Sequence, residues 1–281
     1  MAAEKLPFTK MQAVGNDFVV VDEPTWATET DWPGLAIRLC DRKFGIGGDG
    51  LLVLCPSTIA DFGMKMFNPD GSEDMCGNGL RCLIYLQTTR GNLAARGTVE
   101  TLSGLRSFVV TTKDGITTEM GIPRFSACDI PAVLPSDDPT FALAVVGQQI
   151  EVSAVNTGST HCVIWRDRLP GDDEFFSVSP IIELHPAFPE RTSVMWAVQE
   201  GPDRVRLRIW ERGAGETLGC GTGACAVGVV ACRSGRVPGG YTEVESKGGV
   251  LGVFWNGGAS DSVHLTGAGE IVFSGVVTTN A

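Results

Sequence analysis

Two short cysteine motifs, each followed by an apolar segment, constrain the fold of this chain of 281 residues more than any other feature. Residues 76–82 read CGNGLRC, and residues 220–225 read CGTGAC. Each motif follows a predicted strand and a glycine-containing loop with an acidic residue, and each opens an apolar segment that is predicted to be a helix. This weak internal repeat predicts two similar halves, each with one cysteine at the start of an enclosed helix.

The remaining strand and turn signals predict an α+β fold with many short strands and few helices. In each pseudo-symmetric half, a mostly antiparallel, barrel-like sheet is expected to wrap round a central helix. A cluster of Pro, Ser and Asp predicts the boundary between an N-terminal half, 1–121, which carries Cys76, and a C-terminal half, 122–262, which carries Cys220. The last strand, within about 263–281, is a candidate to cross back to the first half.

Local signals place several individual elements. Aspartate and glycine at turns predict hairpins at 105–120, turning through Asp114 and Gly115, and around Gly147. The helices are predicted at 32–43 with Asp31 as the cap, at 76–87 and at 220–233. Gly235 is expected to end the last helix.

Composition excludes several classes of function. The net charge is −11, so the electrostatic attraction that drives binding to nucleic acid or to an anionic membrane surface is missing. The N-terminus lacks an apolar signal-peptide core, and no apolar run is long enough to span a membrane. The nine cysteines are odd in number and form no CxxC pair, which argues against both a disulfide framework and a metal site. These features predict a cytoplasmic protein.

The two motifs support a specific chemistry. A cysteine at the first turn of a helix lies beside unpaired backbone N–H groups, which favour the thiolate and are expected to lower its pKa below about 8.5. The glycines that follow allow N–H groups to cradle a carboxylate. If Cys76 and Cys220 serve one site, one thiolate can remove the α-proton of an amino acid while the other thiol protonates the opposite face. The expected reaction is racemisation or epimerisation of a small-molecule amino acid without a cofactor. Most of the other cysteines, among them Cys82 and Cys225, are expected to pack in the core.

Four sets of residues, in this order, carry a resemblance to a known family: MQAVGNDFVVVD at 11–22, FNPDGSE at 67–73, CGNGLRC at 76–82, and ERGAGET at 211–217 with CGTGA at 220–224. Over nearly its whole length, the chain resembles the diaminopimelate epimerases. The resemblance implies a pyridoxal-independent isomerase of two α/β-barrel halves, each closed round a central helix. It also implies the interconversion of LL- and meso-diaminopimelate in lysine and cell-wall biosynthesis.

The same resemblance implies a set of site residues. Cys76 and Cys220 match the paired acid and base. The residues that match substrate-binding positions are Gly77, Asn78, Gly221 and Thr222 at the reacting carboxylate, Asn16 at another substrate contact, and Asn68, Glu211 and Arg212 at the distal amino-acid end. His161 is expected to lie near the site and tune it.

Three positions depart from the family pattern. Ser159 and Ser193 stand where the family often has asparagine, and Gly50 stands where some members have glutamine. All three positions fall where the resemblance implies that the distal end of the substrate is recognised. The sequence therefore supports the chemistry more directly than the identity of the substrate.

Several alternatives remain open on the sequence. The lost asparagines fit a related racemase of another amino acid, such as histidine. A proline-racemase-like or phenazine-biosynthesis-like relative is a further alternative, although the latter group lacks the cysteine pair. A redox-responsive binding protein, whose two thiols close a disulfide, is the non-enzyme alternative. The sequence does not fix the oligomeric state, and a homodimer is one open assembly.

Overall fold

The computed structural model describes residues 4–25, 30–112 and 115–279, and the chain divides into two compact units. The first unit consists of Met1–Thr118 with Gly267–Ala281, and the second unit is Glu119–Thr266. The chain therefore leaves the first unit once and returns to it for its last segment.

The first unit begins with eight strands and two helices, which follow one another along the chain. They are β1 (Glu4–Ala13), β2 (Asn16–Asp22), α1 (Trp32–Cys40), β3 (Gly50–Cys55), β4 (Phe62–Phe67), β5 (Glu73–Asp74), α2 (Gly77–Thr89), β6 (Arg96–Thr101), β7 (Gly104–Thr112) and β8 (Gly115–Gly121).

After one additional strand at its start, β9, the second unit repeats this order of strands and helices. Its elements are β9 (Thr140–Val145), β10 (Gln148–Asn156), β11 (Thr160–Trp165), α3 (Asp172–Glu183), β12 (Ser193–Gln199), β13 (Arg204–Glu211), β14 (Gly215–Thr217), α4 (Gly221–Arg233), β15 (Gly240–Ser246), β16 (Gly249–Trp255) and β17 (Val263–Gly267). The last strand, β18 (Glu270–Thr279), belongs to the first unit.

The sheet of the first unit has the order β18–β1–β2–β3–β4–β6–β7–β8, with the short β5 beside β4. The pairs β2–β3 and β4–β6 are parallel, and the others are antiparallel. Parallel neighbours require a crossover connection, and the two crossovers contain α1 and α2. Helix α2 contacts β1, β2, β3, β4 and β18, so its apolar side chains are enclosed in the core of this unit.

The second unit has the matching order β9–β10–β11–β12–β13–β15–β16–β17, with β14 beside β13. Its parallel pairs, β11–β12 and β13–β15, are connected through α3 and α4. Strand β9 pairs with the first long strand of this unit just as β18 pairs with β1. The shared pairing order confirms the predicted α+β class and its internal repeat.

Several local predictions are confirmed and one is wrong. The hairpins β7–β8 and β9–β10 form as predicted, although residues 113–114 at the first turn, including Asp114, lie outside the described residues. The side chain of Asp31 accepts from Gly34 N at 3.0 Å, as expected of a cap. Helix α1, however, ends at Cys40 rather than at residue 43. The Asp41 carboxylate accepts from Lys43 N and Phe44 N, both at 2.7 Å, and this local turn replaces the last helical turn.

Helix α4 runs to Arg233, and Gly235 follows it in the left-handed conformation (φ 70°), as predicted. In the part of the chain that the structure describes, no helix combines the length and the apolar character needed to cross a bilayer.

The close contact between α4 and β16 gives a test of the packing. A Cβ at Gly228 would lie 2.7 Å from Val253 Cγ1 and 2.9 Å from Val253 Cβ, and a β-branched side chain has few rotamers in which to yield. We expect Gly228→Ala to destabilise the protein by about 1–3 kcal/mol, which is the usual cost of overpacking. Thermal unfolding measures the effect. Gly201→Ala is the control, because its new Cβ would find its nearest neighbour at 3.6 Å. Equal melting temperatures for the two variants would contradict this account of the packing.

Candidate active site

Cys76 is the N-cap residue of α2, with φ −126° and ψ 120°. Its side chain is partly exposed, and Sγ lies 3.5 Å from Asn16 Oδ1, to which the thiol donates. Gly77 and Asn78 follow as the first helical residues, and both are buried. Backbone N–H groups in the first turn have no partner within the helix, so this end favours an anion.

Two side-chain amides beside Cys76 have a fixed orientation. Asn16 donates from Nδ2 to Asp49 Oδ2 at 2.8 Å, and a carboxylate can only accept, so Asn16 Oδ1 is directed to the thiol. Asn78 accepts at Oδ1 from the Arg81 guanidinium, which can only donate, and its Nδ2 donates to Asn16 Oδ1 at 3.2 Å. This chain of hydrogen bonds presents a defined acceptor, the Asn16 carbonyl oxygen, to Cys76.

A group of charged residues supports Asn16 from the other side. Arg42 Nη2 bridges Asp17 Oδ1 at 2.6 Å and Asp49 Oδ1 at 2.8 Å, and Lys10 Nζ lies 2.5 Å from Asp17 Oδ2. Burial acts to raise the pKa of Asp17, but hydrogen bonds from Arg42 and Lys10 outweigh it and hold this pKa below its ordinary value. Both carboxylates therefore have cationic partners, which fixes Asp49 as the acceptor that orients Asn16.

Cys220 is the N-cap residue of α4, with φ −129° and ψ 116°, and is only 6% exposed. Its Sγ accepts from Gly223 N at 3.3 Å and lies 3.4 Å from Thr222 Oγ1. Burial raises the pKa of this thiol well above its ordinary value, and the charge of Glu211 raises it further, whereas the hydrogen bonds with Thr222 and Gly223 lower it. The expected lowering of the pKa is therefore wrong for Cys220, because loss of water outweighs the helix terminus.

The carboxylate of Glu211 lies within hydrogen-bond reach of the Cys220 thiol. Glu211 is the last residue of β13, and its Oε1 accepts from Thr217 Oγ1 at 2.5 Å across the β13–β14 turn. A thiol that donates to a carboxylate keeps its proton but has an acceptor beside it. The structure thus places Glu211 beside the cysteine N-cap of its own unit.

Removal of the Glu211 charge gives a direct test of this contact. In Glu211→Gln, we expect the pKa of Cys220 to fall, because a negative neighbour that opposes the thiolate is gone. The rate of Cys220 alkylation by iodoacetamide, followed by peptide mass spectrometry, should reach its half-maximum at lower pH than in the unsubstituted chain. Glu243→Gln, which removes a carboxylate from β15, is the control. An unchanged or upward-shifted profile in Glu211→Gln would contradict the contact.

Arg212 and His161 form a second group in the same unit. Arg212 N donates to Ser193 Oγ at 3.1 Å, and Arg212 Nη1 donates to Glu190 O at 3.2 Å. His161 is fully buried, and its Nδ1 lies 2.7 Å from Ser159 O, a carbonyl that can only accept. Its Nδ1 therefore carries the proton, and within the described ranges its Nε2 has no hydrogen-bond partner.

The protonation of His161 follows from its surroundings. Burial lowers its pKa to about 4; the hydrogen bond to Ser159 opposes this shift, and the charge of Arg212 adds to it. The imidazole is therefore neutral near pH 7. A neutral ring with a free Nε2 can accept a hydrogen bond but adds no charge to the site.

The remaining predicted residues have these positions. Gly221 and Thr222 open α4, and Thr222 O accepts from Thr157 Oγ1 at 2.8 Å, so the β10–β11 turn contacts α4. In the first unit, Asn16 at the start of β2 contacts α2 through Asn78. Asn68 lies just after β4, where its Nδ2 donates to Ser72 Oγ at 3.0 Å. At Gly50, an added Cβ would lie 2.8 Å from Met66 Cε and 3.1 Å from Phe67 O.

The predicted residues thus gather into three groups by their contacts. Cys76, Gly77, Asn78 and Asn16 lie together in the first unit, and Cys220, Gly221, Thr222 and Glu211 lie together in the second. Ser159, His161, Ser193 and Arg212 form the third group, also in the second unit. Asn68 contacts Ser72, and Gly50 lies against Met66 and Phe67. Across residues 4–25, 30–112 and 115–279, no cluster of three or more His, Cys, Asp or Glu is arranged to hold a metal ion.

Sequence reasoning missed the residues that support the site. Asp49 and Arg81 orient the amides beside Cys76, and Glu183 holds the segment that carries Arg212. A charged residue in the otherwise apolar helix that begins at Cys76 was the available signal for Arg81.

Comparison with families of known proteins gives a match along most of the chain. The family model described as "Diaminopimelate epimerase" matches residues 8–126 and 153–272. Two curated relatives with this name come from Heliobacterium modesticaldum and Synechococcus sp. (strain JA-2-3B'a(2-13)). The first is 41% identical over 96% of this chain and 99% of the relative, and the second is 43% identical over 96% and 98%.

Solved structures with the same fold are more distant in sequence. A Bacillus anthracis phenazine biosynthesis protein of the PhzF family matches with a TM-score of 0.74 and 18% identity, over 98% of this chain and 99% of that one. A hydroxyproline epimerase from Agrobacterium vitis matches with a TM-score of 0.69 and 18% identity, over 99% and 93%. At this level of identity, the two structures show a common fold.

Proposed function

This chain belongs to the diaminopimelate epimerase family, and from this premise we propose that it is the isomerase that converts LL-diaminopimelate to meso-diaminopimelate in lysine and peptidoglycan biosynthesis. The observation that carries the proposal is the pair of cysteine N-caps, Cys76 on α2 and Cys220 on α4, at matching places in the repeated topology. Acid–base chemistry at an α-carbon requires such groups beside a carboxylate cradle.

In the proposed reaction, one thiolate removes the α-proton and the opposite thiol gives its proton to the other face of the carbon. The electron pair left by the broken C–H bond delocalises onto the substrate carboxylate, and the N–H groups that follow each cysteine stabilise that charge. The step balances without a cofactor, because one sulfur gains the α-proton of the substrate while the other sulfur gives its own proton to the opposite face of the carbon. Roles reverse for the opposite epimer.

The surroundings of the thiols favour an assignment of their starting forms. The raised pKa of Cys220 keeps it protonated near neutral pH, so it begins as the acid, and the two-base mechanism then requires Cys76 to act as the base. Asn16 Oδ1 accepts from the Cys76 thiol after proton transfer, and Glu211 accepts from the Cys220 thiol before it. Each cysteine thus has its own acceptor for the protonated state.

We propose that Arg212 binds the carboxylate at the distal end of the substrate, because a guanidinium pairs well with a carboxylate. Ser193 supports this segment through the Arg212 backbone N–H, and Ser159 holds His161 nearby. Asn68 is the remaining proposed distal contact.

The proposal includes a reducing compartment, which is the cytoplasm, because all nine cysteines lie in described parts of the chain and no disulfide joins any of them. Its partner is the amino-acid substrate, and the net charge of −11 disfavours nucleic acid. A homodimer stays a prediction that sedimentation can check.

The proposed function is tested by incubating the purified protein with LL-diaminopimelate in deuterated buffer. Proton NMR should show loss of the α-proton signal together with formation of the meso isomer. A panel that includes histidine and proline supplies the comparison. Exchange with another amino acid but not with diaminopimelate would contradict the proposed substrate, and no exchange with any of them would contradict the epimerase function.

A further inference from the structure

One buried carboxylate outside the cysteine motifs binds three donors of the second unit. Glu183, the last residue of α3, is 4% exposed. Its Oε2 accepts from Trp210 Nε1 at 2.6 Å, and its Oε1 accepts from Gly213 N at 2.8 Å and from the Arg191 guanidinium. Charge-assisted bonds of this kind are the strongest hydrogen bonds in proteins.

Two of these donors, Trp210 and Gly213, lie at the two ends of a short segment of the chain. Trp210 and Gly213 come immediately before and after Glu211 and Arg212, so the carboxylate of Glu183 is bonded to both ends of this pair. Gly213 adopts φ 80°, a left-handed conformation that reverses the chain there.

The charge of Glu183 persists at neutral pH. Burial acts to raise the pKa of this carboxyl, but hydrogen bonds from Trp210, Gly213 and Arg191 outweigh burial and leave the pKa below its ordinary value. Burying a charge is costly, and a well-packed apolar side chain often serves stability equally well. A purely structural role therefore gives no reason for an ionised group at this place.

We propose that Glu183 is a positioning residue of the epimerase site, which places Arg212 and thereby sets the affinity for the distal end of the substrate. This inference rests on the proposed function. It follows from the contact set, because the bonds of Glu183 to Trp210 and Gly213 leave Arg212 little freedom to move.

The contacts also separate Arg212 from its neighbour Glu211. In addition to the bonds of Glu183 to the flanking residues, Glu211 accepts a hydrogen bond from Thr217 Oγ1 and pairs with Gly215 on β14. Apart from the bonds of Glu183 to its flanking residues, Arg212 is held by Ser193 Oγ and by the carbonyl oxygen of Glu190. Loss of the Glu183 charge should therefore weaken substrate binding more than the chemistry at Cys220.

The test uses the full-length enzyme with Glu183→Gln and diaminopimelate as the substrate. We expect KM to rise about tenfold while kcat changes less than about threefold, as for loss of a charged hydrogen bond that acts on binding. Glu174→Gln, an exposed glutamate in the first turn of the same helix, is the matched control and should leave both constants unchanged.

A second variant keeps the test decisive if Glu183→Gln fails to fold. Trp210→Phe removes the indole N–H donor to Glu183 and keeps an aromatic ring against Phe175 and Phe176. It should raise KM in the same direction by a smaller factor.

A fall in kcat with unchanged KM, or unchanged constants in the folded variants, would overturn the positioning role while leaving the epimerase function intact. If the unsubstituted enzyme itself shows no exchange, the proposed function fails, and the positioning role fails with it.

Discussion

Replacement of Cys76 or Cys220 by serine should reduce epimerisation by about 10²–10⁴-fold in kcat, the usual contribution of a positioned acid or base. The proposed reaction needs one deprotonated and one protonated sulfur. A hydroxyl is a far weaker acid than a thiol, whose ordinary pKa is about 8.5, so serine supplies neither a base nor a matched acid near neutral pH. Both single variants should be affected, because each turnover uses both groups.

Steady-state conversion of LL-diaminopimelate, followed by chiral chromatography, measures this effect. The control is Cys128→Ser, because Cys128 is an exposed cysteine of the second unit outside both motifs. It should retain full activity and show that serine substitution alone is harmless. Undiminished turnover in either of the other two variants would remove that cysteine from the mechanism.

The substitution Asn78→Asp should lower the activity without lowering the stability of the fold. Asn78 is 3% exposed, and its Nδ2 donates to Asn16 Oδ1 at 3.2 Å. Aspartate removes this donor and places a negative charge at the start of α2, where the substrate carboxylate is proposed to bind. We expect kcat/KM to fall by about 10²–10³-fold, comparable to the loss of one donor to a developing oxyanion.

The same substitution should not destabilise the fold. Asn78 Oδ1 accepts from Arg81, so an aspartate would gain a charged partner there, and an acidic residue in the first turn is favourable to the helix. We expect these two gains to offset the repulsion between the new carboxylate oxygen and Asn16 Oδ1. Thermal unfolding checks this expectation, and Asn92→Asp, an exposed site beyond the end of α2, controls for the added charge. An active Asn78→Asp enzyme would contradict the proposed cradle, and so would a loss of activity explained by unfolding.

The repeat and the two central helices were predictable because their signals are local. Helices α2 and α4 are apolar on nearly all faces and follow a glycine motif, and the structure confirms both. Helix α3 was not predicted: an acidic first turn opens it, Pro180 lies inside it, and only Phe175, Ser179, Ile182 and Glu183 are buried. Its place is set by the crossover between β11 and β12, which is a tertiary constraint.

The supporting residues of the site depend on contacts between distant parts of the chain. Asp49 reaches Asn16 because β2 and β3 pair in parallel, with Phe18 opposite Gly50. Glu183 reaches Gly213 across thirty positions of the chain. The helix terminus at Cys220 was visible in the motif, but the burial that raises its pKa was not. A sequence motif shows which groups are near a helix end and does not show how much water remains there.

The central claim is that two thiols act on opposite faces of one α-carbon. The most direct test is the position of deuterium during the first few per cent of conversion of LL-diaminopimelate in deuterated buffer, resolved by epimer with mass spectrometry. A two-base mechanism predicts deuterium at the inverted α-carbon of the meso product, while the unreacted LL substrate keeps its α-proton. Return of the substrate proton to the product, or early deuterium in the remaining LL substrate, would contradict the claim.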